Sequence, residues 1–141
     1  MRFAWLLECW RKFKQDTRTY IGTKMGVWTK EAAEVELGKP IGRRDGIANN
    51  SVFSDIFRYN SPVANFSSIE LSVNRNDKKV RAAYFYYTSA VSWKTLEEKL
   101  GTNFKKQKPA NGRPIYVYSF QGRTLSILVD SANNVYNLGV W

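Results

Sequence analysis

The order of patterns along the second half of the chain repeats the order along the first half. Each half opens with a short helical segment that ends in Leu-Gly, continues through a basic loop and closes with three β-prone segments. A recurring order of this kind indicates two copies of one supersecondary unit, which pack together because one copy alone cannot bury its apolar face. The repeat therefore predicts an α+β fold, in which two tandem helix-loop-β-β-β repeats form an antiparallel sheet with the helices on one face.

The first repeat is predicted over residues 21–88. Thr29 is a suitable N-cap for a helix that ends at Leu37, and Gly38 stops this helix. Residues 39–50 are rich in Gly, Arg and Asn, a composition typical of an exposed loop. The three strands of this repeat are predicted at residues 52–59, 69–73 and 80–87, where β-branched and aromatic residues concentrate.

The second repeat is predicted over residues 89–141. Its helix spans residues 92–101 and again ends in Leu-Gly, and a basic loop follows over residues 102–114. Its three strands are predicted at residues 115–118, 125–129 and 135–141.

Residues 1–20 are predicted to form a separate basic amphipathic helix. Its apolar residues recur at the i, i+3, i+4, i+7 spacing of one helical face, and Arg2, Arg11, Lys12 and Lys14 supply the polar side. The apolar stripe consists of Phe3, Leu6, Leu7, Trp10 and Phe13. Such a helix either packs on the sheet behind it or docks on an anionic membrane surface, and both alternatives stay open.

The N-terminal region does not fit a secretory signal. Its apolar stretch is shorter than the roughly 7–15 residues of a signal core, and no apolar run approaches the roughly 18 residues of a membrane span. These lengths favour a cytoplasmic or peripheral membrane location.

The composition leaves little room for catalysis or metal binding. The chain has no histidine and a single cysteine, Cys9, so Ser-His-Asp and Cys-His catalysis, histidine-based zinc sites and an internal disulfide are all excluded. No spacing singles out a pair of carboxylates, and no glycine pattern matches a nucleotide-binding loop. We therefore expect a protein that is not an enzyme and uses no metal, no cofactor and no small-molecule substrate.

The opening of the first repeat carries a family resemblance. Residues 26–40, with the sequence GVWTKEAAEVELGKP, resemble the start of the SmpA/OmlA family, in which a Gly-x-x-Thr helix ends in Leu-Gly-x-Pro before a three-stranded antiparallel sheet. The duplicated arrangement is similar to the fold of the β-lactamase inhibitory protein, whose two such units form a concave sheet that grips a partner. The resemblance implies a binding platform rather than a reaction.

Aromatic and basic residues are the candidate binding groups. Because successive strand residues point to opposite faces, one face of each strand is expected to meet the helices and the other to present tyrosines to a partner. The tyrosines assigned to this open face are Tyr59, Tyr84, Tyr86, Tyr116 and Tyr118. The two basic loops hold equivalent positions in the two repeats and are expected to share one rim, formed by Arg43, Arg44, Lys105 and Lys106.

The net charge of +10 favours an anionic partner. The leading hypothesis is a protein-binding module, or an accessory subunit of a larger and potentially membrane-associated complex, that binds an acidic protein surface. A nucleic-acid-binding protein is the first alternative, since the same tyrosines could stack on bases and the same rim could contact phosphates. An inhibitor of a hydrolase is a further alternative, and an anionic membrane remains a candidate partner for the N-terminal helix.

Overall fold

A computed structural model describes residues 24–61, 66–108, 113–120 and 123–141. In this part of the chain, two short helices accompany one antiparallel sheet of eight strands in the order β1-β2-β3-β4-β8-β7-β6-β5. The elements are α1 (Lys30–Leu37), β1 (Gly42–Ala48), β2 (Ser51–Asn60), β3 (Phe66–Asn74), β4 (Val80–Ser92), α2 (Trp93–Leu100), β5 (Lys105–Gln107), β6 (Ile115–Phe120), β7 (Arg123–Val129) and β8 (Asn134–Val140).

The predicted fold class is wrong. The described part of the chain is not a pair of helix-plus-three-strand repeats: it is mostly one eight-stranded sheet, to which two eight-residue helices are added. The additional strands are β1 and β5, which form within the two segments that the sequence predicts as loops. In addition, β4 continues to Ser92, past the predicted end of the first repeat at residue 88.

The helix boundaries and the inner strands follow the sequence. Thr29 caps α1 as predicted, because its Oγ1 accepts a hydrogen bond from the Ala32 backbone N–H at 3.2 Å. Gly38 and Gly101 end the two helices with φ values of 82° and 93°, a region that residues with a Cβ rarely adopt. The strand predictions at residues 52–59, 69–73, 115–118 and 125–129 fall within β2, β3, β6 and β7.

The hydrophobic core lies on one face of the sheet, here called the core face. Ile69, Phe85, Leu138 and Ile127 stand opposite one another across β3, β4, β8 and β7, and each is at most 8% exposed. Buried residues of both helices belong to the same cluster. The opposite face, here called the polar face, carries the alternate residues of the same strands, which include Arg58, Glu70, Tyr84, Ser126 and Asn137.

The predicted amphipathic helix at residues 1–20, with its stripe of Phe3, Leu6, Leu7, Trp10 and Phe13, lies outside the described residues. Within the described ranges, neither helix combines the length and the apolar character that crossing a membrane requires.

Candidate functional site

The five candidate tyrosines do not share one face. Tyr84 and Tyr86 lie on the polar face, where each is partly exposed. Tyr59, Tyr116 and Tyr118 lie on the core face and are 0%, 7% and 2% exposed, so their predicted place on an open face is wrong.

Aromatic packing against α2 explains the orientation of β6. The Tyr116 ring stacks on Trp93, the first residue of α2, with 3.9 Å between ring centroids and 10° between planes. Phe104 meets the Tyr116 ring edge-on at 5.1 Å. The Tyr118 hydroxyl donates to the backbone carbonyl oxygen of Gly101 at 2.7 Å. Both tyrosines of β6 therefore supply core packing, the Tyr118 hydroxyl is satisfied, and the smaller Ile115 and Val117 face the other way.

Two buried tyrosine hydroxyls allow a matched test of this packing. Tyr118→Phe should lower the free energy of unfolding by about 1 kcal/mol, because the variant loses a buried hydrogen bond and leaves the Gly101 carbonyl unpaired. Tyr59→Phe should leave stability unchanged or slightly raise it, because the buried Tyr59 hydroxyl has no hydrogen-bond partner among the described residues. Urea unfolding followed by circular dichroism measures both, and equal losses in the two variants would contradict this assignment.

The four basic candidates do not form one rim. Arg43 and Arg44 lie on β1 at one edge of the sheet, whereas Lys105 and Lys106 lie on β5 at the other edge. Seven strand-to-strand steps separate these edges, and at about 4.8 Å per step the path across the sheet is on the order of 30 Å. The sequence does not reveal this separation. The predicted rim depended on the two basic loops holding equivalent positions in two repeats, whereas in the sheet β1 and β5 lie at opposite edges.

A cluster centred on Glu70 is the most elaborate polar arrangement on the polar face. Glu70 is buried, at 4% exposure, in the middle of β3. The Arg44 guanidinium contacts both carboxylate oxygens, with Nε 3.3 Å from Oε2 and Nη2 3.1 Å from Oε1. Arg58, directly opposite Glu70 on β2, places its Nε 3.6 Å from Oε2. The Tyr86 hydroxyl donates to Oε1 at 2.5 Å. We call these four residues the Glu70 cluster.

The Glu70 cluster also fixes the positions of its arginine side chains. The Arg58 guanidinium lies over the Tyr86 ring, with 5.1 Å between the guanidinium carbon and the ring centroid, a cation–π distance. Tyr84 stands directly opposite Glu70 on β4 and extends the aromatic surface. Because these side chains rise from four adjacent strands of one sheet, hydrogen bonds and the backbone together hold their geometry.

The protonation states in the cluster follow from its contacts. Burial alone would raise the pKa of the Glu70 carboxyl, but hydrogen bonds from Arg44 and Tyr86, together with the nearby guanidinium charges, lower that pKa below its ordinary value. Burial, reinforced by the hydrogen bond to Glu70, raises the pKa of the Tyr86 phenol to about 12. At neutral pH, Glu70 is therefore a carboxylate and Tyr86 is a neutral donor.

The cluster presents positive charge to its surroundings. The side chains of Arg44 and Arg58 are 53% and 45% exposed, whereas that of Glu70 is 5% exposed. Each guanidinium has five N–H donors, and Arg44 uses only its Nε and Nη2 on Glu70. The arrangement can bind an anionic or hydrogen-bond-accepting group with guanidiniums that are already oriented.

Arg58 and Glu70 were not among the binding residues predicted from the sequence. A usable signal was present: Glu70 is the one charged residue in the run Ile-Glu-Leu-Ser-Val, and alternation places it on the face opposite Ile69 and Leu71. A carboxylate at the centre of a buried strand requires a partner, and the arginine-rich neighbouring segments could have supplied it.

A separate cavity of about 480 Å³ lies where the end of β4 meets α2. Its described lining consists of residues 87–91 together with Thr95, Leu96 and Lys99, and Lys99 is the one charged residue there. In the part of the chain that the structure covers, no three His, Cys, Asp or Glu side chains come together in a way that could hold a metal ion.

Comparisons with known proteins reveal similarity in the fold only. The sequence matches no protein-family model and no curated protein. The structure is similar to the crystal structure of a DUF4309 family protein, YjgB, from Bacillus subtilis, with a TM-score of 0.60, 14% identity, and coverage of 82% of this chain and 79% of that one. It is also similar to an extracellular protein containing a SCP domain from Bacillus anthracis, with a TM-score of 0.52 and 12% identity.

The second match covers 84% of this chain but 44% of the Bacillus anthracis protein, so this chain corresponds to less than half of that protein. Neither structure is described as an SmpA/OmlA protein or as the β-lactamase inhibitory protein, so that resemblance stays a prediction. At these identities, the likeness establishes a shared fold and carries no activity over to this chain.

Proposed function

We propose that this chain is a non-catalytic protein-binding module, working as an accessory subunit, that recognises an acidic surface through the polar face of its sheet. The observation that carries the proposal is the Glu70 cluster, in which a buried carboxylate orients two half-exposed arginines beside a tyrosine ring. Arginine and tyrosine are enriched among the residues that dominate protein–protein binding energies.

The charge balance of the cluster supports an acidic partner. Two guanidiniums and one carboxylate leave one net positive charge, and the whole chain carries +10. Positive potential of this kind accelerates association with acidic surfaces and disfavours basic ones.

Preorganisation supports the assignment to the sheet face. Arg44 and Arg58 each have several rotatable bonds, and ordering such a side chain on binding costs about 0.5–1.5 kcal/mol. In this chain, Glu70 and Tyr86 already restrain both arginines before a partner arrives. The loss of freedom on binding is accordingly smaller than for arginines on a mobile loop.

Site-specific crosslinking tests the proposal. A photoreactive phenylalanine placed at Tyr84 should crosslink the full chain to a discrete protein in native extract, whereas the same probe at Tyr136, which is 36% exposed, should not. Arg58→Gln should weaken that association about tenfold, the effect of losing one important contact. Arg81→Gln is the matched control, because Arg81 is also an exposed, ion-paired arginine but binds Asp77 instead.

Two outcomes would overturn this assignment. Equal crosslinking from both positions, or equal effects of the two arginine variants, would remove the polar face as the binding site. Crosslinks that disappear after nuclease treatment would instead move the nucleic-acid alternative to first place.

A further inference from the structure

The β1 segment, at one edge of the sheet, carries a near-palindromic sequence. Residues 41–47 read Ile-Gly-Arg-Arg-Asp-Gly-Ile, so the segment is almost the same in both directions about Arg44. Among the described residues, β1 pairs with β2 and has no strand on its other side, and every residue of the segment except Gly46 is exposed. Its two isoleucines, Ile41 and Ile47, are 56% and 64% exposed, so both are available to contact another chain.

The two edges of the sheet differ in how they are protected. β5, at the far edge, has only three residues and presents Lys105 and Lys106, a short and charged edge of the kind that discourages pairing with another chain. β1 has seven residues and carries both signs of charge. β1 is therefore longer than β5, and its mixture of positive and negative charge allows it to match a complementary strand.

We propose that the partner of β1 is the β1 strand of a second copy of this chain, paired antiparallel about a two-fold axis at Arg44. In this register Ile41 faces Ile47 of the second copy, Gly42 faces Gly46, and Arg43 faces Asp45. Each of these pairs occurs twice, as a two-fold interface requires. Opposite charges and apolar side chains directly across two antiparallel strands stabilise the pairing.

The strand geometry is consistent with this register. Arg43 and Asp45 both belong to the core-face side of β1, because they pair with Phe57 and Asp55 on β2. In the single chain, Arg43 Nη2 lies 2.7 Å from Asp45 Oδ1 and also pairs with Asp55. On dimerisation, Arg43 exchanges its contact with Asp45 for one with Asp45 of the second copy and keeps Asp55.

Arg44 is the one position in this register where like charges meet. Its charge is balanced within its own chain, because its guanidinium binds both oxygens of Glu70. The diagonal neighbours of Arg44 across the axis are Gly42 and Gly46 of the second copy, which have no side chains to obstruct the turn of Arg44 towards Glu70. The repulsion between the two Arg44 side chains at the axis is therefore reduced, because each is neutralised by Glu70 of its own chain.

The dimer should be weak and concentration-dependent. A single pair of seven-residue strands buries less than the roughly 1,200 Å² of a standard interface. We expect a weak association, with a dissociation constant on the order of 10–100 μM.

Charge reversal on the full chain tests the dimer by analytical ultracentrifugation. Arg43→Asp places Asp opposite Asp45, and Asp45→Arg places Arg43 opposite Arg, so each variant alone should dimerise at least tenfold more weakly. An equimolar mixture of the two variants should recover the dimer, because both cross-strand pairs between positions 43 and 45 are then of opposite charge. The double variant R43D/D45R should also recover it. Circular dichroism of each variant checks that the sheet remains folded.

The proposal is overturned if the natural sequence sediments as a monomer at several hundred micromolar, or if a dimer forms whose dissociation constant neither single variant changes. Failure of the mixture to associate more strongly than its components would also overturn it. The dimer and the proposed binding function can fail separately. Arg58 lies on β2 and not on β1, so Arg58→Gln should weaken partner binding and leave the dimer unchanged.

Discussion

Replacing Phe85 with alanine should lower the free energy of unfolding by about 3–5 kcal/mol, the range for removing a fully buried phenylalanine. Phe85 is 1% exposed and lies on β4, between Ile69 on β3 and Leu138 on β8. β4 and β8 join the two halves of the sheet, so the cavity would open at the junction where the halves depend on each other. Urea unfolding monitored by circular dichroism measures the loss.

Phe53→Ala is the matched control for this variant. Phe53 is 46% exposed near the β1–β2 turn, so its loss should change the free energy of unfolding by less than about 1 kcal/mol, as for most surface positions. Similar losses in both variants would show that Phe85 does not occupy a close-packed core.

Helix α1 and the central strands could be predicted from the sequence, because capping residues and the apolar pattern along the chain agree with what is buried there. Thr29 and Gly38 delimit α1 through hydrogen-bonding and backbone preferences that operate within a few residues. β3 contains the alternating run Ile69 to Val73, and a strand with neighbours on both sides must carry such apolar residues. Period-two alternation therefore identified the central strands correctly.

The edge strands could not be predicted from hydrophobic periodicity. β1 reads Gly-Arg-Arg-Asp-Gly-Ile-Ala and β5 reads Lys-Lys-Gln, and nearly all of these residues are exposed. A strand at the edge of a sheet is held by backbone hydrogen bonds to one neighbour. Because these bonds do not involve the side chains, they do not require an alternating apolar pattern in the sequence. The glycines and charged residues of these two segments therefore indicated loops, although the segments form the two edge strands.

The predicted binding face was wrong because the sequence does not show which face of a strand is buried. Alternation shows that Tyr116 and Tyr118 share a face, but it does not show which face meets the helices. An aliphatic core was the simpler assumption, yet Trp93 and Phe104 give the core an aromatic surface that the tyrosines match. Only the three-dimensional register brings Arg44, Arg58 and Tyr86 around Glu70, since these residues are separated by 12 to 26 positions from it.

Glu70→Gln should lower the free energy of unfolding at pH 7 by about 2 kcal/mol, within the range for buried hydrogen bonds to a charged group. The change removes the carboxylate charge while keeping the size of the side chain, so Arg44, Arg58 and Tyr86 lose their ionic acceptor without a cavity forming. Glu34→Gln is the control, because its ion pair with Lys30 is a more exposed i, i+4 helix pair worth about 0.3–0.5 kcal/mol.

The difference in the free energy of unfolding between the natural sequence and Glu70→Gln should decrease as the pH falls. The pKa of Glu70 is lower in the folded chain than its ordinary value of about 4.3, so the unfolded chain takes up a proton first as the pH falls. The stability contributed by Glu70 should be fully present above about pH 5 and should be lost as the pH falls from about 4 through the folded pKa. Other carboxyls with lowered pKa values, such as those of Asp55 and Asp77, affect both proteins alike and cancel in the difference. Urea unfolding of both proteins between pH 3 and pH 7 measures this difference, and a constant gap across that interval would show that the arginines do not hold Glu70 in its charged form.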